Sequence, residues 1–197
     1  MTMIYLVRHG QTLFNLQHKI QGFCDSPLTN LGVEEAKIAG RYFKEANIPL
    51  DEAFVSTSER AIDTLQLITD LPFKTHKNLR EWNFGTYEGE GEHLNPPLPY
   101  GDFFVQFGGE SQTDLTKRIN QAVTDIAKHS NKQHILIVSH GASIANFYRE
   151  WEEFSPVKRH GSIKNCSIMA YEYLDDTFIS KEIINHDFSN ISLDENN

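Results

Sequence analysis

Three short apolar runs in this chain each stop at polar, reactive groups. Met3-Ile4-Tyr5-Leu6-Val7 ends at Arg8-His9, Ala53-Phe54-Val55 at Ser56, and Ile135-Leu136-Ile137-Val138 at Ser139-His140. Runs this short, apolar at every position rather than at alternate ones, are the pattern of strands buried on both faces. Helix-period segments lie between them. Thr29 is placed to cap a helix over 31–46, where Val33, Ala36, Ala39, Tyr42 and Phe43 fall near one face. Residues 59–70 carry Ala61, Leu65 and Ile68 on one stripe, and 111–129 carry Leu115, Ile119, Val123 and Ile126. A further helix is expected over 142–151. Strands alternating with helices predict an α/β fold with a mainly parallel sheet between helical layers. In such sheets ligands bind outside the carboxyl ends of the strands, so the three reactive ends are expected along one edge.

Ser167–Leu174 and Phe178–Ile184 read as two closing strands, with Asp175-Asp176 at the turn between them. Residues 77–109 are rich in glycine and proline and read as loops. The tail from Asn185 is polar and is expected to be loose. No internal repeat and no linker divides the chain, so residues 1–197 are read as a single domain.

Eighteen Lys and Arg stand against 27 Asp and Glu, a formal charge of -9. That balance argues against nucleic acid as a partner, whose phosphates call for a basic surface. It leaves room for a small phosphorylated ligand held by a few arginines. Cys24 and Cys166 cannot build a disulfide framework or a zinc cluster. The apolar start is too short for a signal peptide or a membrane span. A cytoplasmic protein with no membrane partner is the expectation. The remaining histidines show no metal-ligand spacing.

The residues at the strand ends suit phosphoryl transfer. His9 is a candidate nucleophile, and Arg8 and Arg60 offer planar forks that match phosphate oxygens. His140 adds a third donor, and the helix opening at Gly141 adds free N–H groups. The proton donor is sought in the segment 79–89. Glu81, flanked by aromatic residues that would desolvate it, is favoured over its rival Glu88. Phe103, Phe104 and Phe107 fit either an apolar cap over a ligand or simple packing. Lys158-Arg159 reads as a solvated pair, with a substrate role left open. Ser139 lacks the Gly-x-Ser-x-Gly elbow of a serine hydrolase.

These motifs resemble the histidine phosphatase superfamily, the phosphoglycerate mutase-like proteins. Leu6-Val7-Arg8-His9-Gly10-Gln11-Thr12 is similar to its signature, and the likeness continues through Asn15, Gln21-Gly22, Asp25–Thr29 and Gly32. It resumes at Ser56 with Arg60-Ala61 and Thr64, at Glu81 with Phe84-Gly85 and Glu88-Gly89, at Gly108–Ser111, at Val138–Gly141 and at Asn165–Ser167. Tyr87 and Thr57 depart from the Trp and Pro of many relatives, without touching the chemistry.

The resemblance implies a three-layer α/β/α sandwich and a phosphohistidine on His9. It implies that Arg8, Arg60 and His140 hold the phosphoryl group, with Asn15, Gln21, Gly22 and Gly141 lining the pocket. Glu81 is implied as acid and base, and no metal or organic cofactor is implied. Mutase relatives carry paired arginines after the acid. Residues 90–107 here contain no arginine or lysine and hold Glu90, Glu92 and Asp102 instead. Residues 90–109 are therefore expected to form a substrate cap ill suited to a second anion. The expected activity is a metal-independent phosphatase for a small phosphorylated metabolite. A cofactor-dependent phosphoglycerate mutase is the alternative, and a non-catalytic phospho-ligand module ranks last. A homodimer is compatible with this reading.

Overall fold

The two longest apolar runs lie side by side in the middle of one sheet. In the computed structural model, which describes residues 1–189 and 191, β1 (Thr2–Arg8) pairs in parallel with β4 (His134–Ser139). β2 (Glu52–Val55) pairs in parallel with β4 on its other side, and β3 (Phe73–Thr75) extends that edge. β5 (Ile168–Leu174) and β6 (Thr177–Ile184) close the opposite edge as antiparallel strands. The six-stranded order is β3-β2-β4-β1-β5-β6.

Because strand side chains alternate between faces, each central run feeds two cores. Ile4, Leu6, Ile135 and Ile137 pack with Ile119, Val123, Ile144 and Phe147 of α4 (Gln112–His129) and α5 (Gly141–Trp151). Tyr5, Val7, Leu136 and Val138 pack with Ala36, Ala39, Phe43, Ala61 and Leu65 of α2 (Asn30–Glu45) and α3 (Glu59–Ile68). Helices thus cover both faces, giving the three-layer α/β fold expected from the alternation. Removing the Ile137 side chain from such a core would cost about 2–5 kcal/mol.

Capping sets the helix starts. The Thr29 hydroxyl accepts the Gly32 N–H, and the Ser111 hydroxyl accepts the Asp114 N–H. The helix expected over 59–70 ends at Ile68, because Thr69 is extended. A short helix, α1 (Leu13–Leu16), was not anticipated; Thr12 and Asn15 form a capping box at its start. β3 was also missed, being three residues long and half exposed. Of the tail from Asn185, residues 190 and 192–197 lie outside those described. No described helix is long and apolar enough to cross a membrane.

Candidate functional site

The sheet brings the carboxyl ends of β2, β4 and β1 together, in that order, and with them Ser56, His140 and His9. A cavity of about 830 Å³ opens above this edge. Arg8, His9, Asn15, Gln21, Glu81 and Gly141 line it. Arg60, His140 and Gly22 do not; they sit in the shell beneath and beside it.

His9 is 3% exposed. Its backbone N–H donates to the Ser139 carbonyl at 3.1 Å, and its carbonyl accepts from Asn165 Nδ2 at 3.0 Å. The ring Nδ1 lies 2.8 Å from the Gly10 carbonyl, which can only accept. Nδ1 therefore carries the proton, and Nε2 presents its lone pair. Burial, then the charges of Arg60 and Arg8, hold the His9 pKa well below the usual imidazole value. A neutral ring is what a nucleophile requires. Gly10 leaves room not for a ligand but for α2: a Cβ there would stand 2.4 Å from the Gly32 carbonyl oxygen. Gly10 N–H donates to Thr64 Oγ1 and Gln11 N–H to the buried Glu35 carboxylate, so both adjoining helices pin the loop.

His140 packs edge-on against His9, with ring centroids 5.3 Å apart. Its Nε2 lies 2.7 Å from Ser56 Oγ. That hydroxyl also accepts the Ser58 N–H at 3.3 Å and lies 3.4 Å from Ser58 Oγ, to which it can donate. Burial, with Arg60 and His9 next, pushes the His140 pKa well below its ordinary value too.

Both arginines are anchored through their terminal nitrogens. Arg60, 0% exposed, donates to the Cys24 carbonyl and the Asp25 carboxylate through Nη1 and to the Gly22 carbonyl through Nη2. Arg8 Nη1 donates to the Ile163 carbonyl at 2.6 Å. In each the Nε is buried and has no partner, and so is Nδ1 of His140. Buried donors are seldom left unpaired, and the two guanidinium Nε–H groups can only donate. An anionic group there would satisfy them.

Glu81, 6% exposed, sits at the start of α5. Oε1 accepts from the N–H groups of Trp82 and Ser143 and the Ser143 hydroxyl; Oε2 accepts only from Ala142 N–H at 2.9 Å. Oε2 thus keeps a lone-pair direction for the cavity. Its hydrogen-bond partners are backbone and hydroxyl groups, and Trp82, Phe84 and Tyr100 line the same cavity. Glu88 is occupied elsewhere, accepting the N–H groups of Phe23, Cys24 and Phe84. It shapes the loop whose carbonyls hold Arg60.

Asn15 lines the cavity, and its Oδ1 accepts from Thr12 N–H and Asn165 Nδ2, leaving its amide N–H groups available. Gln21 also faces the cavity, though Thr12 and Ser26 engage its amide. Gly22 was expected to line the pocket and does not. A Cβ at Gly22 would meet the Trp82 carbonyl at 2.4 Å, so its role is to let two loops pass closely while its carbonyl anchors Arg60.

The cap segment contributes Glu92, Asn95, Leu98, Pro99 and Tyr100 to the cavity. Phe103, Phe104 and Phe107 turn away and pack with Tyr87. Of the two readings open for them, packing is the observed one. Three cations absent from the cap reach the cavity from elsewhere: Lys19, Arg149 and Arg159. Of the three, the sequence reading had singled out only Arg159, in a pair whose substrate role it left open.

Sequence reasoning also passed over the clamp on the Glu81 loop. Arg118 of α4 donates to the carbonyls of Asn78, Arg80 and Glu81 and pairs with Glu110 at 2.5 Å. Its only sequence signal is a charged residue on a helix face, which usually means solvent.

A profile described as the histidine phosphatase superfamily (branch 1) matches residues 4–186. The chain is similar to "Probable phosphoglycerate mutase GpmB" of Yersinia pestis, 28% identical over 91% of this chain and 89% of that one. It is similar in structure to a phosphoserine phosphatase from Entamoeba histolytica solved with 3-phosphoglyceric acid, with a TM-score of 0.76, 28% identity, and coverage of 95% and 99%. A phosphoglycerate mutase from Bacillus anthracis superposes with a TM-score of 0.81 at 25% identity, covering 91% of each chain.

Proposed function

Because this chain belongs to the histidine phosphatase superfamily, we propose that it is a metal-independent phosphomonoesterase working through a phosphohistidine on His9. The observation that carries the reading is the pair of unpaired buried guanidinium donors, Arg8 Nε and Arg60 Nε, whose charges act on a neutral His9 packed against His140. Such donors stabilise charge on transferring oxygens where water would have to reorganise.

His9 Nε2 attacks phosphorus as the ester P–O bond breaks, and the leaving oxygen takes a proton from Glu81 Oε2. Water then attacks the phosphohistidine, Glu81 takes its proton, and the N–P bond breaks to release phosphate and neutral His9. Asn15 donates to the phosphoryl oxygens, and the Gly141 N–H, which opens α5 and is not taken by Glu81, adds a further donor. Residues 90–109 act as the cap over a small phosphorylated metabolite. Similarity to the Entamoeba phosphatase supports water as the acceptor.

A mutase reading keeps specific support, from the GpmB relatives and from the cations outside the cap. The test compares phosphate release with interconversion of 2- and 3-phosphoglycerate, both with a chelator present. Phosphate release outpacing interconversion is expected; interconversion that outpaces release favours the mutase. Activity that requires added metal contradicts both.

A further inference from the structure

The chain carries a charge of -9, yet the cavity above His9 collects Lys19, Arg149 and Arg159 in addition to Arg8. None of these three makes an ion pair among the described residues. Cations on an acidic protein would ordinarily find carboxylates. Two carboxylates face the same space: Glu81 is engaged by α5, and Glu92, half-exposed, pairs with none of the three.

The three come from separate elements and are held in place without being neutralised. Gly141, Ala142, Ala145, Asn146 and Arg149 follow helical spacing, so one stripe of α5 faces the cavity from the reacting end outward. Arg149 follows Gly141 by eight positions, roughly 12 Å at 1.5 Å per residue. Its side chain tilts back toward the helix N-terminus, hence toward the phosphoryl end. Nη1 donates to the neutral amide of Asn146 at 2.6 Å, and Asn146 is itself steadied by Gln112. Arg159 lies over the Tyr148 ring at 5.5 Å and donates through Nη1 to the Gly161 carbonyl. Its Nε is buried and unpaired. Lys19 rests over Phe14 at 5.3 Å, its ammonium free of any carboxylate.

We infer that Lys19, Arg149 and Arg159 form a second anion subsite, and that the substrate is a small phosphomonoester bearing a further carboxylate or phosphate. The inference rests on the phosphohistidine reading for the position of the first phosphoryl group. It replaces the expectation that this cavity is ill suited to a second anion. The cap does lack cations, but the helix stripe and two loops supply them. Guanidinium forks match either oxyanion, so the geometry defines the shared chemistry.

The test uses the full chain hydrolysing p-nitrophenyl phosphate, with three competitors: glycerol 3-phosphate, 3-phosphoglycerate and glycerol 1,3-bisphosphate. At least one doubly anionic compound should inhibit tenfold or more better than glycerol 3-phosphate, and which one does separates carboxylate from phosphate. In an Arg149→Gln, Arg159→Gln protein that ratio should fall about tenfold, and in Lys19→Gln about threefold. Arg159→Lys, which keeps the charge, should retain more of it. A ratio of inhibition constants within one preparation does not depend on the fraction folded. Equal inhibition by all three compounds, or a ratio unmoved by the double substitution, overturns the subsite and leaves the phosphohistidine reading standing. No hydrolysis of p-nitrophenyl phosphate and no acid-labile phosphate on the protein overturns both.

Discussion

The floor of the cavity and its outer wall are both cationic, but they are built differently. At the floor Arg8 is held through Nη1 by the Ile163 carbonyl, and beneath it Arg60 has both terminal nitrogens fixed by backbone carbonyls and Asp25; the Nε of each is buried without a partner. On the wall, Arg149 is exposed and Arg159 and Lys19 are half-exposed, on a helix stripe and two loops. The floor is buried and anchored to a sheet, so its donors cannot follow a change of ligand. The wall can be altered without disturbing the strands. On the proposed mechanism, bond-breaking belongs to the buried part, and choice of substrate to the exposed one.

Glu81 belongs to the floor by its rigidity, and its substitution should have the largest effect short of losing His9. Glu81→Gln should lower turnover of an alkyl phosphate by about 10²–10⁴-fold. The loss should be smaller for phosphorylation of His9 by p-nitrophenyl phosphate, whose leaving group needs no proton. Burst kinetics on both esters check this, and an equal loss on both would move the acid elsewhere.

Arg118 should act through Glu81 rather than on the substrate. Arg118→Met leaves the Asn78 and Glu81 carbonyls unpaired and takes a donor from the Arg80 carbonyl and from Glu110, which keep Ser143 and Asn83. A loss of roughly tenfold or more in turnover is expected, with the same leaving-group dependence as Glu81→Gln but weaker. Denaturation should show a stability cost of about 3 kcal/mol from the broken partly buried pair. Loss on both esters alike would separate Arg118 from the acid.

The buried histidines predict a pH dependence of stability. Both are held neutral, with folded pKa values well below the unfolded value of about 6.5. Below that pH the unfolded chain binds protons that the folded chain does not. Stability should therefore fall as pH drops from about 6.5 toward the folded values, by about 1.4 kcal/mol per pH unit for each histidine. Urea melts from pH 7.5 to 5 measure the slope, and His140→Gln should reduce it by one histidine's share. A flat profile would mean that the rings are not held neutral. The smallest effect is expected from the cap's aromatics. Phe107→Leu should change the inhibition ratios above by less than twofold, because its ring meets Tyr87 and not the cavity.

How much of this was legible depended on whether a residue's partner was close in sequence. His9, Ser56 and His140 were readable because each follows an unbroken apolar run, and a parallel sheet aligns such ends by topology. Thr29 and Ser111 were readable because a cap's partner is three residues away. Arg118 acts at long range, and nothing next to it distinguishes it from a solvated residue; Asp25 and Asn165 fall in segments that carry the family resemblance, but their long-range partners were not readable from it. Gly22 was assigned to the pocket because it neighbours Gln21, yet its close approach is to the backbone of Trp82. Lys19 and Arg149 were missed for the same reason: residues 90–107 were searched as a continuous cap, whereas these two and Arg159 come to line one cavity only in three dimensions.

The account stands on His9 as the atom that receives the phosphoryl group. The full chain should be mixed with a ³²P-labelled phosphomonoester and quenched in alkali within milliseconds to seconds. Base-stable, acid-labile label on the peptide containing His9 is the predicted result, with none on His9→Ala and turnover reduced at least about a thousandfold. Unlabelled wild-type protein that still turns over, or a His9→Ala protein that retains activity, would contradict it.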